Sequence, residues 1–322
     1  MSYNVVLSDF HMVDPEHQRR ILGDVAEIHV AELGSEEALV EACRAADADA
    51  VVTDINTPVT ADALSQLDLS IVARAAVGFD NIDVEAADAH DVVVTNVPSY
   101  CTDEVATHSI ALLLSCIRAT PTYDRAVKAG EWPSTPGRDL HRMDGRTLGF
   151  LSFGAIAQRA AELASGFGVE MVVYDPYVDD ERLAEFDAER VSVDELYARS
   201  DYLLVNAPAT PETRGMVDAD AFDALDDEAI LVNTGRGAVI DEDALVEALR
   251  EGDIAAAGLD VFESEPLPAD SPLRELDNAV LSPHAAWCSV EAKAEVNEQT
   301  ASDIKRVFEG KEPTARVEPR WD

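Results

Sequence analysis

Over residues 4–95, short runs rich in β-branched side chains alternate with amphipathic segments of helical period. The runs at 5–7, 25–30, 50–53, 71–75 and 92–95 predict strands, and the stretches between them predict helices. One such helix opens at Ser35 with Glu36 and Glu37 in its first turn, where a side-chain acceptor and negative charge both suit a helix N-terminus. Alternation of this kind predicts a parallel sheet covered on both faces. A longer helix is expected over 103–117, carrying Ala111-Leu112-Leu113-Leu114. The polar stretch 118–145, punctuated by Pro and Gly, is too long for a simple loop. A second alternating unit runs from 148 to about 286, and a last helix is expected over about 289–308. There is no repeat of fixed period and no low-complexity tract.

The chain of 322 residues, 47% hydrophobic, is long enough for two domains with separate cores. Its charge is extreme, with 64 acidic against 24 basic residues and a formal net charge of −40. Lys occurs only at Lys128, Lys293, Lys305 and Lys311. The acidic residues are spread along helix faces such as 241–251, and apolar periodicity continues through them, which argues against a disordered acidic tail. Such a chain repels itself at low ionic strength, and at about 1 M salt the screening length falls to roughly 3 Å. An origin in a salt-accumulating organism is the economical expectation. Direct nucleic-acid binding is not expected, since basic patches are absent. Cys43, Cys101, Cys116 and Cys288 form no Cys-x-x-Cys pair and read as free thiols. No metal site is expected. With no basic leader before the first strand and no apolar run near 18 residues, a cytoplasmic location without membrane contact is expected.

Two groups of residues carry chemistry. Gly149-Phe150-Leu151-Ser152-Phe153-Gly154-Ala155-Ile156-Ala157-Gln158 follows an apolar strand and opens a helix, the context of a pyrophosphate-binding turn. Ser152 stands where such a turn has its first Gly, and Ala157 where it has its third. Gly154, whose missing side chain lets the backbone approach the phosphates, is retained. Asp175, 21 residues after Gly154, ends the next strand, where an acid can bind the adenosine ribose hydroxyls. The second group is Arg236, Glu265 and His284, each just beyond a short apolar strand, at 230–232, 256–259 and 279–281. A guanidinium can grip a 2-keto acid's carboxylate and polarise the neighbouring carbonyl. An imidazole can exchange the proton of the resulting alcohol. A carboxylate on the far ring nitrogen would orient that imidazole and favour its acid form. Taken singly, the three read as a strand end, a loop carboxylate and a buried histidine.

Together the segments Val77-Gly78-Phe79-Asp80-Asn81-Ile82-Asp83, 149–158, Asn233-Thr234-Gly235-Arg236-Gly237, Asp260 to Pro266 and Ser282 to Trp287 resemble the D-isomer-specific 2-hydroxyacid dehydrogenases over nearly the whole length. Glu263-Ser264-Glu265-Pro266 and His284-Ala285-Ala286-Trp287 look most like the branch that contains the C-terminal binding proteins, corepressors that keep a dehydrogenase fold. The resemblance implies two doubly wound α/β domains with a cleft between them. These are a flavodoxin-like substrate domain (1–100 and 289–322) and a Rossmann-type NAD-binding domain (101–288). It implies NAD as cofactor, held by Ser152, Gly154, Ala155, Ile156, Asp175, Ala207, Pro208, Thr213, Thr234, Gly235, Asp260 and Trp287, with Asp260 near the carboxamide. Ala155 replaces a residue that is often Arg in this family. The resemblance also implies backbone N–H groups of Val77 and Gly78 on the substrate carboxylate, beside Arg236, His284 and Trp287. Gly78 equally suits a turn and Trp287 a domain joint. Asp80 and Asp83 read as turn and cap residues. The stretch 118–145 would be an arm packing a homodimer, or a mobile surface excursion. Glu265, where formate dehydrogenases of the superfamily carry Gln, points to interconversion of small 2-keto and D-2-hydroxy acids. A cofactor-sensing scaffold with vestigial catalysis is the alternative.

The charge pattern carries its own test. The folded chain should melt at rising temperature as KCl increases from millimolar to molar, because screening removes repulsion between dispersed carboxylates. A melting temperature that stays flat or falls in a KCl series contradicts the salt-adapted reading.

Overall fold

A computed structural model describes residues 3–319. The expected substrate-domain bounds reach residues 1–2 and 320–322, which lie outside the described residues. In chain order the first elements are β1 (Tyr3–Ser8), α1 (Pro15–Leu22), β2 (Ala26–Ala31), α2 (Glu36–Ala46), β3 (Ala50–Thr53), α3 (Ala61–Leu64), β4 (Ile71–Arg74), α4 (Val84–Ala89) and β5 (Val93–Thr95). There follow α5 (Thr102–Arg118), α6 (Thr120–Lys128), β6 (Thr147–Leu151), α7 (Ala155–Ala164), β7 (Glu170–Tyr174), α8 (Asp180–Ala184), β8 (Ala188–Arg190) and α9 (Val193–Arg199). The chain ends with β9 (Tyr202–Val205), α10 (Ala219–Ala224), β10 (Ile230–Asn233), α11 (Glu242–Glu251), β11 (Ala256–Leu259), β12 (Ala279–Leu281) and α12 (Val290–Phe308). It divides into two compact units, Met1–Cys101 with Cys288–Asp322, and Thr102–Trp287.

The first unit is a five-stranded sheet of order β2-β1-β3-β4-β5 with every pairing parallel. Its inner strands β3 and β4 are buried along their whole length, as strands covered on both faces must be. The predicted cap is present: Ser35 accepts from the Ala38 N–H at the start of α2, and Asp83 caps α4 through Ala86 N–H. A buried polar seam holds α12 against α1. Gln18 donates to Thr300 Oγ1 at 2.8 Å, and Asn297 donates to Met12 O at 2.9 Å. A buried amide must find such partners, so the seam also fixes the register of the two helices.

The second unit is a seven-stranded parallel sheet of order β12-β11-β10-β9-β6-β7-β8. Helices α5 and α7 pack one face through Leu112, Leu113, Cys116 and the alanines at 157, 160, 161 and 164. Helices α9, α10 and α11 pack the other face through Leu196, Phe222, Leu245 and Leu249. The strand order reverses direction between β6 and β9, and the crevice at such a switch point, beyond the carboxyl ends of the strands, is where ligands bind in open α/β sheets. Within the stretch 118–145 lies one further helix, α6, whose apolar residues are not buried. No helix among the described residues is long and apolar enough to cross a membrane.

Thiol reactivity reports on this packing. Burial pushes the Cys43 thiol up to about 12, and the Cys116 thiol likewise, with the Arg138 charge offsetting part of the shift at Cys116. Cys288 is exposed. At pH 8 a thiol reagent should label Cys288 in the native protein, and Cys43 and Cys116 only after unfolding. Peptide mapping that finds Cys116 labelled as fast as Cys288 contradicts the placement of α5 against the sheet.

Candidate active site

Three loops leave adjacent parallel strands at one edge of the second unit. The loop after β10 is clamped by Asn233, whose Oδ1 accepts from Gly235 N–H at 3.0 Å and whose Nδ2 donates to Arg236 O at 3.0 Å. Both glycines here answer to close approach of other backbones. A Cβ on Gly235 would lie 2.8 Å from Ala207 O, and one on Gly237 would lie 1.9 Å from the Phe262 carbonyl carbon. The half-buried Arg236 between them has extended backbone, and its Nη1 donates to Gly235 O at 2.9 Å. Thr234 Oγ1 accepts from Asn206 Nδ2 at 3.2 Å and lies 2.7 Å from Ser109 Oγ.

The loop after β11 begins at Asp260, which is 1% exposed. Five residues on, Glu265 Oε1 accepts from Phe262 N–H at 3.0 Å, and Oε2 lies 2.6 Å from His284 Nδ1. Burial by itself raises the Glu265 carboxyl. The His284 hydrogen bond, the imidazole charge and the Phe262 N–H together outweigh it and hold the group below the ordinary carboxylate value. An ionised carboxylate only accepts, so Nδ1 carries the hydrogen and Nε2 is the atom left for proton exchange. The loop after β12 places His284 at φ 52, in the left-handed region that a residue with a Cβ enters at a cost of order 1 kcal/mol. What holds it is Asp260: its main-chain oxygen accepts from His284 N–H at 2.8 Å. Its Oδ1 accepts from Ala285 N–H at 2.9 Å and its Oδ2 from Ala286 N–H at 3.0 Å. The resemblance implies a cofactor contact for Asp260. The same side chain bonds the His284 loop, a contact that no local sequence signal announces. Trp287, half-buried, ends the second unit.

At the switch point, Ser152 follows β6 at φ 74, which is why glycine is the usual residue there. Gly154 caps α7 with no side-chain bond to the helix N–H groups, and a Cβ built on it meets nothing within 4 Å. Gly154 and Ala155 are exposed, Ile156 is partly buried, and Ala157 is fully buried with its methyl in the core. N–H groups left without a side-chain cap, behind a glycine with no side chain to obstruct approach, suit an anionic pyrophosphate. Asp175 stands beside this turn. Its Oδ2 accepts from Phe153 N–H at 2.7 Å and from Ser152 Oγ at 3.2 Å, and its Oδ1 from Tyr177 N–H at 2.8 Å. Across the switch point Ala207 is buried, Pro208 is exposed, and Thr213 Oγ1 accepts from Thr210 N–H at 2.8 Å. These groups fit a dinucleotide. Val77 and Gly78 lie in the first unit, in the loop after β4, where Val77 O accepts from Asn96 Nδ2 at 2.7 Å.

Residues 110–286 match the model of the D-isomer specific 2-hydroxyacid dehydrogenase, NAD binding domain. The chain is 38% identical over 303 residues to a D-3-phosphoglycerate dehydrogenase of Methanocaldococcus jannaschii, covering 93% of itself but 57% of that protein. It thus spans little more than half the length of this relative. It is also 38% identical over 286 residues to a glyoxylate reductase of Korarchaeum cryptofilum, covering 87% of itself and 85% of that protein. Among solved structures, a D-lactate dehydrogenase from Aquifex aeolicus complexed with NAD and lactic acid superposes with a TM-score of 0.87 at 25% identity, over 99% of this chain and 100% of that one. The uncapped start of α7, the acid that ends β7 and the matched segment agree: the chain belongs to the D-isomer-specific 2-hydroxyacid dehydrogenases, and NAD is its cofactor.

Proposed function

We propose that the protein interconverts 2-keto acids and D-2-hydroxy acids, with Arg236, Glu265 and His284 as the working side chains. The observation that carries this reading is the 2.6 Å bond between His284 Nδ1 and Glu265 Oε2, which orients an imidazole with Nε2 available for proton exchange. When bound, the nicotinamide ring supplies or accepts the hydride. Arg236 grips the substrate carboxylate with its guanidinium and draws electron density from the adjacent carbonyl. In the reducing direction, His284 Nε2 gives its proton to the carbonyl oxygen as the carbon gains the hydride, and in reverse the same nitrogen takes it back. Glu265 stabilises the protonated ring. Relatives named for phosphoglycerate and glyoxylate support small 2-keto acids as the substrate class. A scaffold that binds cofactor without turnover is the competing outcome of the same assays.

Arg236→Ala should raise KM and lower kcat together, whereas His284→Ala should lower kcat with less effect on binding. Glu265→Gln should lower kcat with less effect on KM, because the ring loses the ionised acceptor that fixes its orientation. The folded Glu265 carboxyl lies below its ordinary value, so its contribution to stability is present above that value and lost as pH falls through the lowered one. Near-wild-type turnover in either alanine variant, with NADH and a panel of 2-keto acids in molar KCl, contradicts the assignment.

Cofactor preference follows from Asp175. A 2′-phosphate would bring negative charge against a carboxylate whose two oxygens already accept backbone N–H groups. NADH should therefore exceed NADPH in kcat/KM by about tenfold or more, even in molar KCl, since contact-range repulsion outlasts screening. Equal or better use of NADPH overturns this.

A further inference from the structure

Behind the His284 loop runs a hydrogen-bonded chain that the reaction above does not use. His108, in the body of α5, places Nε2 2.9 Å from Ser282 Oγ, and Ser282 Oγ lies 2.6 Å from Asp260 Oδ1. Counting hydrogens sets the direction. Asp260 receives three donors, from Ser282, Ala285 and Ala286, as an ionised carboxylate does. The single hydroxyl hydrogen of Ser282 therefore goes to Asp260, and Leu259 O, at 3.4 Å, is the poorer acceptor. Ser282 then offers His108 only a lone pair, so His108 Nε2 carries the hydrogen. The chain reads Nε2–H of His108 to Ser282 Oγ, and Ser282 O–H to Asp260 Oδ1.

The neighbouring residue on α5 makes a parallel connection. Ser109 donates to Val105 O at 2.8 Å, so the Thr234 hydroxyl, 2.7 Å away, donates to Ser109. One turn of a single helix is thereby pegged to the loops after β10, β11 and β12, which carry Arg236, Glu265 and His284. The His284 backbone, held in the left-handed region by Asp260, is the part of this assembly with most to lose if its supports slacken.

We propose that His108 is a positioning residue for the dehydrogenase reaction: as an Nε2–H donor it orients the Ser282 hydroxyl onto Asp260, and Asp260 so oriented holds the main chain of His284. The inference rests on the reading of His284 as proton donor. Without the imidazole donor, the Ser282 hydroxyl is free to turn to Leu259 O, and Asp260 loses its shortest bond. A shift of about 1 Å in a reacting group costs on the order of a hundredfold in rate.

The test uses the whole protein with NADH and the best 2-keto acid of the panel. His108→Leu should lower kcat by about 10- to 100-fold with KM for both ligands moved far less. His108→Gln, whose side-chain amide can present an N–H near the same place, should recover most of that loss. Ser282→Ala should resemble His108→Leu, and the double variant should be no worse than either single one, because both cut one chain. Wild-type kcat in His108→Leu, equal losses in the Leu and Gln variants, or additive losses in the double variant overturn the proposal. A second readout is independent of turnover and of variants at His108. In ¹⁵N-histidine spectra of the wild type, one Nε2–H signal besides those of His17 and His141, whose Nε2 atoms face carboxylates, should shift in Ser282→Ala while those two stay unchanged. A set of histidines unchanged by Ser282→Ala overturns the inference. If the wild type reduces no 2-keto acid, the functional reading fails, and the spectra alone decide whether His108 positions the Asp260 loop.

Discussion

A carboxylate shut away from water must have its lone pairs met, and at Asp260 the groups that meet them are the backbone of the segment holding the candidate acid–base. That requirement ties the ends of β11 and β12 together beyond their sheet hydrogen bonds. It also sets the His284 ring where Glu265, five residues beyond Asp260, can reach Nδ1. On the neighbouring strand, two positions without side chains let the backbone after β10 run close against the loops after β9 and β11. The local geometry is thus made largely by main-chain contacts, to which Glu265 and Arg236 add bonds at Phe262 N–H and Gly235 O.

The electrostatics of the chain work on two length scales. A net charge of −40 repels an anionic dinucleotide and an anionic acid from a distance. At contact range, the uncapped N–H groups of α7 would present positive potential to the dinucleotide, and in the proposed reaction the Arg236 guanidinium would do so to the acid. Salt weakens the first effect, which acts over many ångströms, and leaves the second largely intact. Dispersed acidity and anion binding are therefore compatible in one molecule, provided the medium is salty.

Much of the fold was legible because its signals are local. The β-branched runs, the Ser35 cap and the apolar stripe of α5 each depend on neighbours within a turn or two, and each element forms where the pattern predicts, to within two residues at the ends. Helix α6 is not marked within 118–145, because it is only nine residues long, buries none of them, and lies in a stretch punctuated by Pro and Gly. At the candidate site, Arg236, Glu265 and His284 could be singled out because their chemistry is rare in combination. Asp260, Ser282 and His108 could not be assigned their contacts, since their link joins residues more than 150 positions apart through hydrogen bonds that leave no periodic trace. Ser152 was legible as a departure from the glycine pattern, but its left-handed backbone and its bond to Asp175 belong to the folded turn alone.

The double engagement of Asp175 bears on redesign. Changing a Rossmann enzyme from NAD to NADP commonly begins by deleting the acid at the end of the second strand. Here that acid is also a structural staple: Oδ2 anchors Phe153 N–H inside the phosphate-binding turn, and Oδ1 anchors Tyr177 N–H in the following loop. A small apolar replacement would remove the repulsion and at the same time unpin both backbones, leaving a buried N–H without an acceptor. A successful cofactor switch in this chain has to keep an oxygen at that position, for instance as Asn or Ser, and recruit its cation for the extra phosphate from a residue farther along the loop.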